Sequence, residues 1–217
     1  MKYILSLTLL LFTVLGTTVA QDEKSAAELK NEGNAALKAK DYKTALDSYE
    51  AAIASWDAEG EEVDPATVYN TATCAYKLKM NDKAFKYYTT AQEAGYKGDA
   101  CYYYQYKIHK ANGNTEEMTK TLQAGIENFP NGKYASAMKK ELAKPLVVKA
   151  KGHYEKAQAK LNARTSDNAD QWPALKAASV EECDKAIAFC DEALAIYAND
   201  KNAKAIKAGC TSLKSAE

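Results

Sequence analysis

A spacing of small and aromatic residues recurs three times along this chain and restricts its fold more than any other feature. Gly33, Ala45, Tyr49, Ala52 and Ile53 make the first set. Ala72, Ala84, Tyr88, Ala91 and Gln92 make the second, and Tyr106, Met118, Leu122, Gly125 and Ile126, followed by Pro130, make the third. Within each set the steps are 12, 4, 3 and 1. From the second set to the third every position moves by 34 (72 to 106, 84 to 118, 91 to 125), and from the first to the second by 39. A fixed period of this size marks stacked supersecondary units, and a period of about 34 residues belongs to a helix–turn–helix unit. An ordinary helical bundle also repeats apolar residues on its inward faces, but it does not require equal steps in successive segments. Stacked helix pairs leave a long curved surface, of the kind that usually receives other chains.

The helices follow from the same pattern. Apolar and small residues at i, i+3, i+4 and i+7 predict amphipathic helices over about 25–39 and 42–56, with the turn at Lys40-Asp41. Further pairs are expected at 66–79 with 81–94, after an acidic loop from Asp57 to Pro65, and at 99–112 with 115–128, parted by Asn112-Gly113-Asn114. Beyond Pro130 the pattern loosens. Pro145 either kinks a helix over 133–164 or starts a new one, and Gly152 stands in a setting (KAKGHYEKA) like that of Gly33. Ala186, Cys190, Ala193 and Leu194 step 4, 3 and 1 again, so 145–198 reads as a fourth hairpin with an enlarged loop, and 201–215 as a capping helix.

Composition narrows the function. Acidic and basic residues balance at 29 each, with no basic stripe of the sort that nucleic acid needs. Arg164 is the only arginine, which disfavours a site built on bidentate guanidinium contacts. The first twenty residues combine Lys2, an apolar run from Ile4 to Leu15 and the small residues Thr18-Val19-Ala20. This reads as a secretory signal cut after Ala20, the rival being an uncleaved anchor. Taken with the absence of an Asn-x-Ser/Thr sequon, it points to export into a bacterial periplasm or envelope, with secretion as an alternative. Removing Lys2 with that segment leaves 28 cations against 29 acids.

Residues 21–217 then form a single array. Two histidines on separate helices, no HExxH, no glycine-rich phosphate loop and no GxSxG leave nothing that reads as catalysis, and neither a metal nor a cofactor is expected. The five cysteines lack CxxC spacing. Cys190 and Cys210 lie at similar distances from the turn near 199–200. A disulfide across an antiparallel hairpin is geometrically possible there; the alternative is two small buried side chains.

LKNEGNAALKAKDYKTALDSYEAAI (Leu29 to Ile53) and VYNTATCAYKLKMNDKAFKYYTTAQ (Val68 to Gln92) closely resemble tetratricopeptide repeats. Tyr102 to Pro130 matches in its second helix and closing proline, and Asp184 to Leu194 matches a second helix. The resemblance implies an all-α fold, a right-handed superhelix of about four antiparallel helix pairs (25–57, 65–98, 99–132 and 145–198). It also implies a concave groove lined by the first helix of each pair, and a non-catalytic role in holding a protein or peptide. On those helices the groove face holds Lys30, Asn34, Leu37 and Lys38; Tyr69, Asn70, Thr73, Tyr76 and Lys77; and Tyr103, Tyr104, Lys107 and Lys110. Lysines there are expected to meet acids, tyrosines to stack, and asparagines to bond main chain. One branch of the family grips a C-terminal carboxylate. Lys30, Asn34 and Asn70 match half of its clamp, while Ala100 and Tyr104 replace its two remaining cations. Acidic or C-terminal segments are therefore the expected ligands, with a structural subunit of an envelope assembly as the competing reading and a carbohydrate site at the tyrosines as a third.

Overall fold

A computed structural model describes residues 24–215, so the signal-like segment lies outside the described residues. Its elements are α1 (Ala26–Lys38), α2 (Tyr42–Glu59), α3 (Pro65–Lys77), α4 (Asn81–Glu93), α5 (Gly98–Ala111), α6 (Thr115–Asn128), α7 (Ala135–Asn162), a 3-10 turn (Ser166–Gln171), α8 (Trp172–Ile196) and α9 (Lys201–Ser215). No strand occurs among the described residues. Each helix packs on the next, and α7 also meets α9.

Local signals set the ends. Ser25 and Glu28 form a reciprocal capping box at α1, Asp41 caps α2 through the Thr44 amide, and Asp64 caps α3 ahead of Pro65. The turn inside each of the first three hairpins is built alike. Lys40, Lys79 and Gly113 have positive φ. Each donates its amide to the carbonyl three residues back, while its successor reaches five back (Asp41 to Ala36, Met80 to Ala75, Asn114 to His109). The offsets of 39 and 34 thus hold for the turns as well as for the cores.

One core runs through the first three hairpins, around Ala45, Tyr49, Ala72, Ala75, Ala84, Tyr88, Ala91 and Ile108. Small residues bring the backbones together and the tyrosines fill the volume beside them. A third-hairpin cluster centres on Leu122 and Met138, and two further clusters join α7, α8 and α9.

Two features bear on what the sequence pattern left open. Residues 135–162 form one continuous helix. Pro145 is exposed on it, so water can serve the carbonyl that loses its amide partner. The hairpin register also separates Cys190 from Cys210. Cys210 shares one core cluster with Cys183 and Cys190 shares another with Ala203, while Lys207 pairs with Asp191 and Lys214 with Asp184 across the same two helices. All five thiols are free and buried. Burial pushes Cys74 up to about 11 and Cys101 and Cys210 up to about 12. A thiol reagent at pH 8 is expected to leave the folded protein unmodified and to label all five cysteines once it is unfolded without reductant; only three labelled would reveal a bridge within the chain.

Candidate functional site

Side chains link the first helices of the hairpins into one wall: Lys30 of α1 reaches Asp64 at the start of α3, Tyr76 of α3 packs on Tyr104 of α5, and Lys110 of α5 reaches Glu141 of α7. Its middle is aromatic. Tyr69 meets Tyr88 and Tyr96 edge-on, and the Lys97 ammonium lies 4.6 Å from the Tyr69 ring centre. Tyr76 packs on Tyr104, which stacks on Tyr88 with centroids 5.2 Å apart. Tyr103 stacks on Tyr134 of the next layer at 4.4 Å. The Lys107 ammonium bridges the layers, lying 5.9 Å from the Tyr76 ring centre and 5.3 Å from that of Tyr103. At such distances a cation is attracted to the ring faces. Tyr69, Tyr76, Tyr103, Tyr104 and Lys107 are all half-buried, so part of each ring and the lysine head remain accessible. Burial raises the pKa of Tyr69 and Tyr104, and both stay neutral hydroxyls at physiological pH.

The carboxylates nearest this wall are already engaged. Asp64 pairs with Lys30 at 2.7 Å and also caps α3, which together hold it below the usual carboxylate range despite burial. Glu141 pairs with Lys110 across α5 and α7. Lys38 and Lys77 are exposed and have no ion pair among the described residues.

The half-clamp is largely engaged within the chain. Asn34 accepts the Tyr49 hydroxyl at 2.8 Å, and Asn70 faces the same hydroxyl, which burial shifts up to about 12. These asparagines orient a core tyrosine, and Lys30 is held by Asp64.

No protein-family model matches the chain, and no curated protein does. Among solved structures, a TPR repeats protein from Bacteroides fragilis NCTC 9343 is similar over 88% of this chain and 100% of that one, at 22% identity and a TM-score of 0.58. The fold is a tetratricopeptide-repeat solenoid. The TPR2AB-domain complex of yeast Sti1 with pHSP90 aligns over 86% of this chain and 83% of that one, at 20% identity and a TM-score of 0.46.

The repeat wall extends past the residues picked out in the sequence. A cavity of about 800 Å³ opens on it between α7 and the start of α9, with Tyr106 of α5 at one end. Its lining includes Lys140, Lys144, Val148 and Lys151, and no residue of α6 or α8, so it faces the same side as the aromatic wall. The signal for it was present as an i, i+4, i+8, i+11 stripe along α7 in which an apolar residue sits among lysines.

His153 is held by Glu182 at 2.7 Å and stacks on Phe189, and His109 lies edge-on to Phe85. Both histidines are engaged in packing between helices. No group of His, Cys, Asp and Glu suited to a metal occurs among the described residues, and no described helix is long and apolar enough to cross a membrane.

Proposed function

We propose that this chain is a non-catalytic adaptor of the bacterial cell envelope that holds a segment of a partner protein against its tetratricopeptide wall. The observation that carries this reading is the joined tyrosine and lysine surface across three layers, centred on Lys107 between Tyr76 and Tyr103. Half-buried tyrosines offer rigid area with a polar tip, and such residues are enriched where proteins meet. Lysines with no competing free acid beside them favour an acidic segment. Export rests on the signal-like first twenty residues, cut after Ala20.

Affinity capture from an envelope extract by residues 21–217 tests the proposal. The double variant Tyr103→Ala, Lys107→Glu is expected to reduce recovery of the partner by about tenfold or more, because a central aromatic anchor and a charge are lost together. A change of Lys86→Glu and Lys120→Glu on the outer helices is expected to leave it unchanged. If instead only the outer-helix variant abolished capture, the chain would be a structural subunit joined through its convex side.

A further inference from the structure

The cavity between α7 and α9 has a composition that specifies an occupant. Tyr106 and Val147 are buried in its lining and Tyr154 and Ile206 are half-buried, while Val148 is 62% exposed. Lys140, Lys144 and Lys151 stand on the same face of α7 on either side of the two valines. Two carboxylates line the cavity, and both are occupied. Glu141 is paired with Lys110, and Asp200 accepts the amides of Asn202 and Ala203 at 2.9 Å, closing the start of α9. Lys140 and Lys144 have no ion pair among the described residues, and Lys151 has only an exposed contact with Glu155 at 3.5 Å. The pocket is therefore largely apolar in its lining and cationic around its opening, with Glu141 held in an ion pair and Asp200 turned to the amides that start α9.

We infer that this cavity is an anchor for an acidic segment of a partner protein, one that places an apolar side chain on Val148 between carboxylates that meet Lys140 and Lys144 at one end and Lys151 at the other. The inference rests on the adaptor reading and locates a second, chemically distinct part of the same wall. The spacing sets the length: the stretch of helix from Lys140 to Lys151 spans about 16 Å, which an extended peptide covers with about five residues. The bound segment thus reads acidic, apolar, acidic over one short stretch. A free C-terminus is not part of the requirement, because three separated ammonium groups meet side-chain carboxylates and do not converge on one terminal carboxylate.

Fluorescence polarisation with residues 21–217 tests this, using a labelled hexapeptide of two acids, two leucines and two acids, blocked by acetyl and amide so that no terminal charge remains. The amide analogue, with Asn and Gln in place of the acids, is the comparison. The acidic probe is expected to bind and the amide analogue to bind at least about fivefold more weakly, with the difference shrinking as salt is raised. Val148→Asp is expected to weaken the acidic probe by about tenfold or more, and Lys144→Gln with Lys151→Gln by about fivefold. Lys86→Gln on α4 removes a charge away from the cavity and is expected to change nothing. All these positions are exposed, and unchanged thermal melting would establish that each variant is folded.

Equal binding of both peptides, or an undiminished signal in Val148→Asp, would overturn the inference. So would binding lost in Lys107→Glu yet kept in Val148→Asp, which would place the probe on the aromatic wall. The adaptor reading falls or stands separately. Absence of probe binding with partner capture still dependent on Tyr103 and Lys107 removes the pocket alone. Probe binding at Val148 with capture indifferent to Tyr103 and Lys107 removes the aromatic wall and leaves the pocket.

Discussion

Replacing Tyr88 with alanine lowers the stability of the folded chain by about 3–5 kcal/mol, the range seen when a fully buried aromatic side chain is cut back to a methyl group. Tyr88 has no exposed surface and joins three helices at once. It sits on α4, stacks flat on Tyr104 of α5 with an interplanar angle of 6°, and meets Tyr69 of α3 edge-on at 5.6 Å. Alanine would leave a void that α3, α4 and α5 cannot close together, since Ala72, Ala84 and Ala91 beside it already place the backbones near contact. The hydroxyl matters little, because its one polar neighbour is Thr73 at 3.4 Å, a long and weak bond. Tyr88→Phe is accordingly expected to cost less than about 1 kcal/mol. Urea unfolding of the three proteins checks this. A loss under about 1 kcal/mol for Tyr88→Ala would mean that the layers do not share the ring as described. In an array each unit is stabilised mainly by its neighbours. The alanine variant should therefore loosen α3 to α5 first, and with them Tyr76 and Tyr104 of the wall, so partner capture should weaken before the α7 to α9 hairpin is affected.

The helices and their stacking were legible because the pattern that makes a helix pair also spaces its core: Ala45, Tyr49 and Ala52 predict their counterparts Ala84, Tyr88 and Ala91 by offset alone. The turn residues were less so. Lys40 and Lys79 adopt the left-handed conformation that glycine takes at Gly113, and lysine carries no sequence signal for it; the closing amide bonds impose it. The wall face followed from the helical step of about 100° per residue, yet what each residue does there depends on partners far along the chain. Nothing local to Asn34 announces that Tyr49 will claim its side chain, and nothing near Lys30 announces Asp64. Of the two readings of Cys190 and Cys210, the structure has the two small buried side chains, for a related reason. Distance from a turn fixes a partner only when both helices start at equal distances from it. Here α8 stops at Ile196 and α9 starts at Lys201, with Asp200 capping, so the thiols sit out of step. The α7 pocket needed the third dimension, because Ile206 and Tyr106 come to line one cavity with Val148 only after the helices are stacked.

Gly33 and Gly152 show how one local setting gives two opposite results. Both stand in polar helical stretches and both look like places where helices approach. A Cβ placed on Gly33 would lie 2.6 Å from two ring atoms of Tyr49, whereas one on Gly152 meets nothing within 4 Å. Tyr49 cannot withdraw: it is fully buried and its hydroxyl is fixed on Asn34. Gly33→Val must therefore part α1 from α2 or force the ring off its rotamer, and is expected to destabilise the protein by about 2–3 kcal/mol, as overpacking of a filled core does. Gly152→Ala should act in the other direction. With no steric opposition, the gain in helix propensity and the loss of unfolded-chain freedom stabilise by about 0.5–1 kcal/mol. The close approach in the C-terminal layer lies instead at Gly209, where a Cβ would come within 2.6 Å of the Tyr154 hydroxyl. Thermal melts of Gly33→Val and Gly152→Ala should move to opposite sides of the parent. If both fell, α7 and α8 would be packed as closely at residue 152 as α1 and α2 are at residue 33, and the α7 wall that carries Val148 and Lys151 would have to be redrawn.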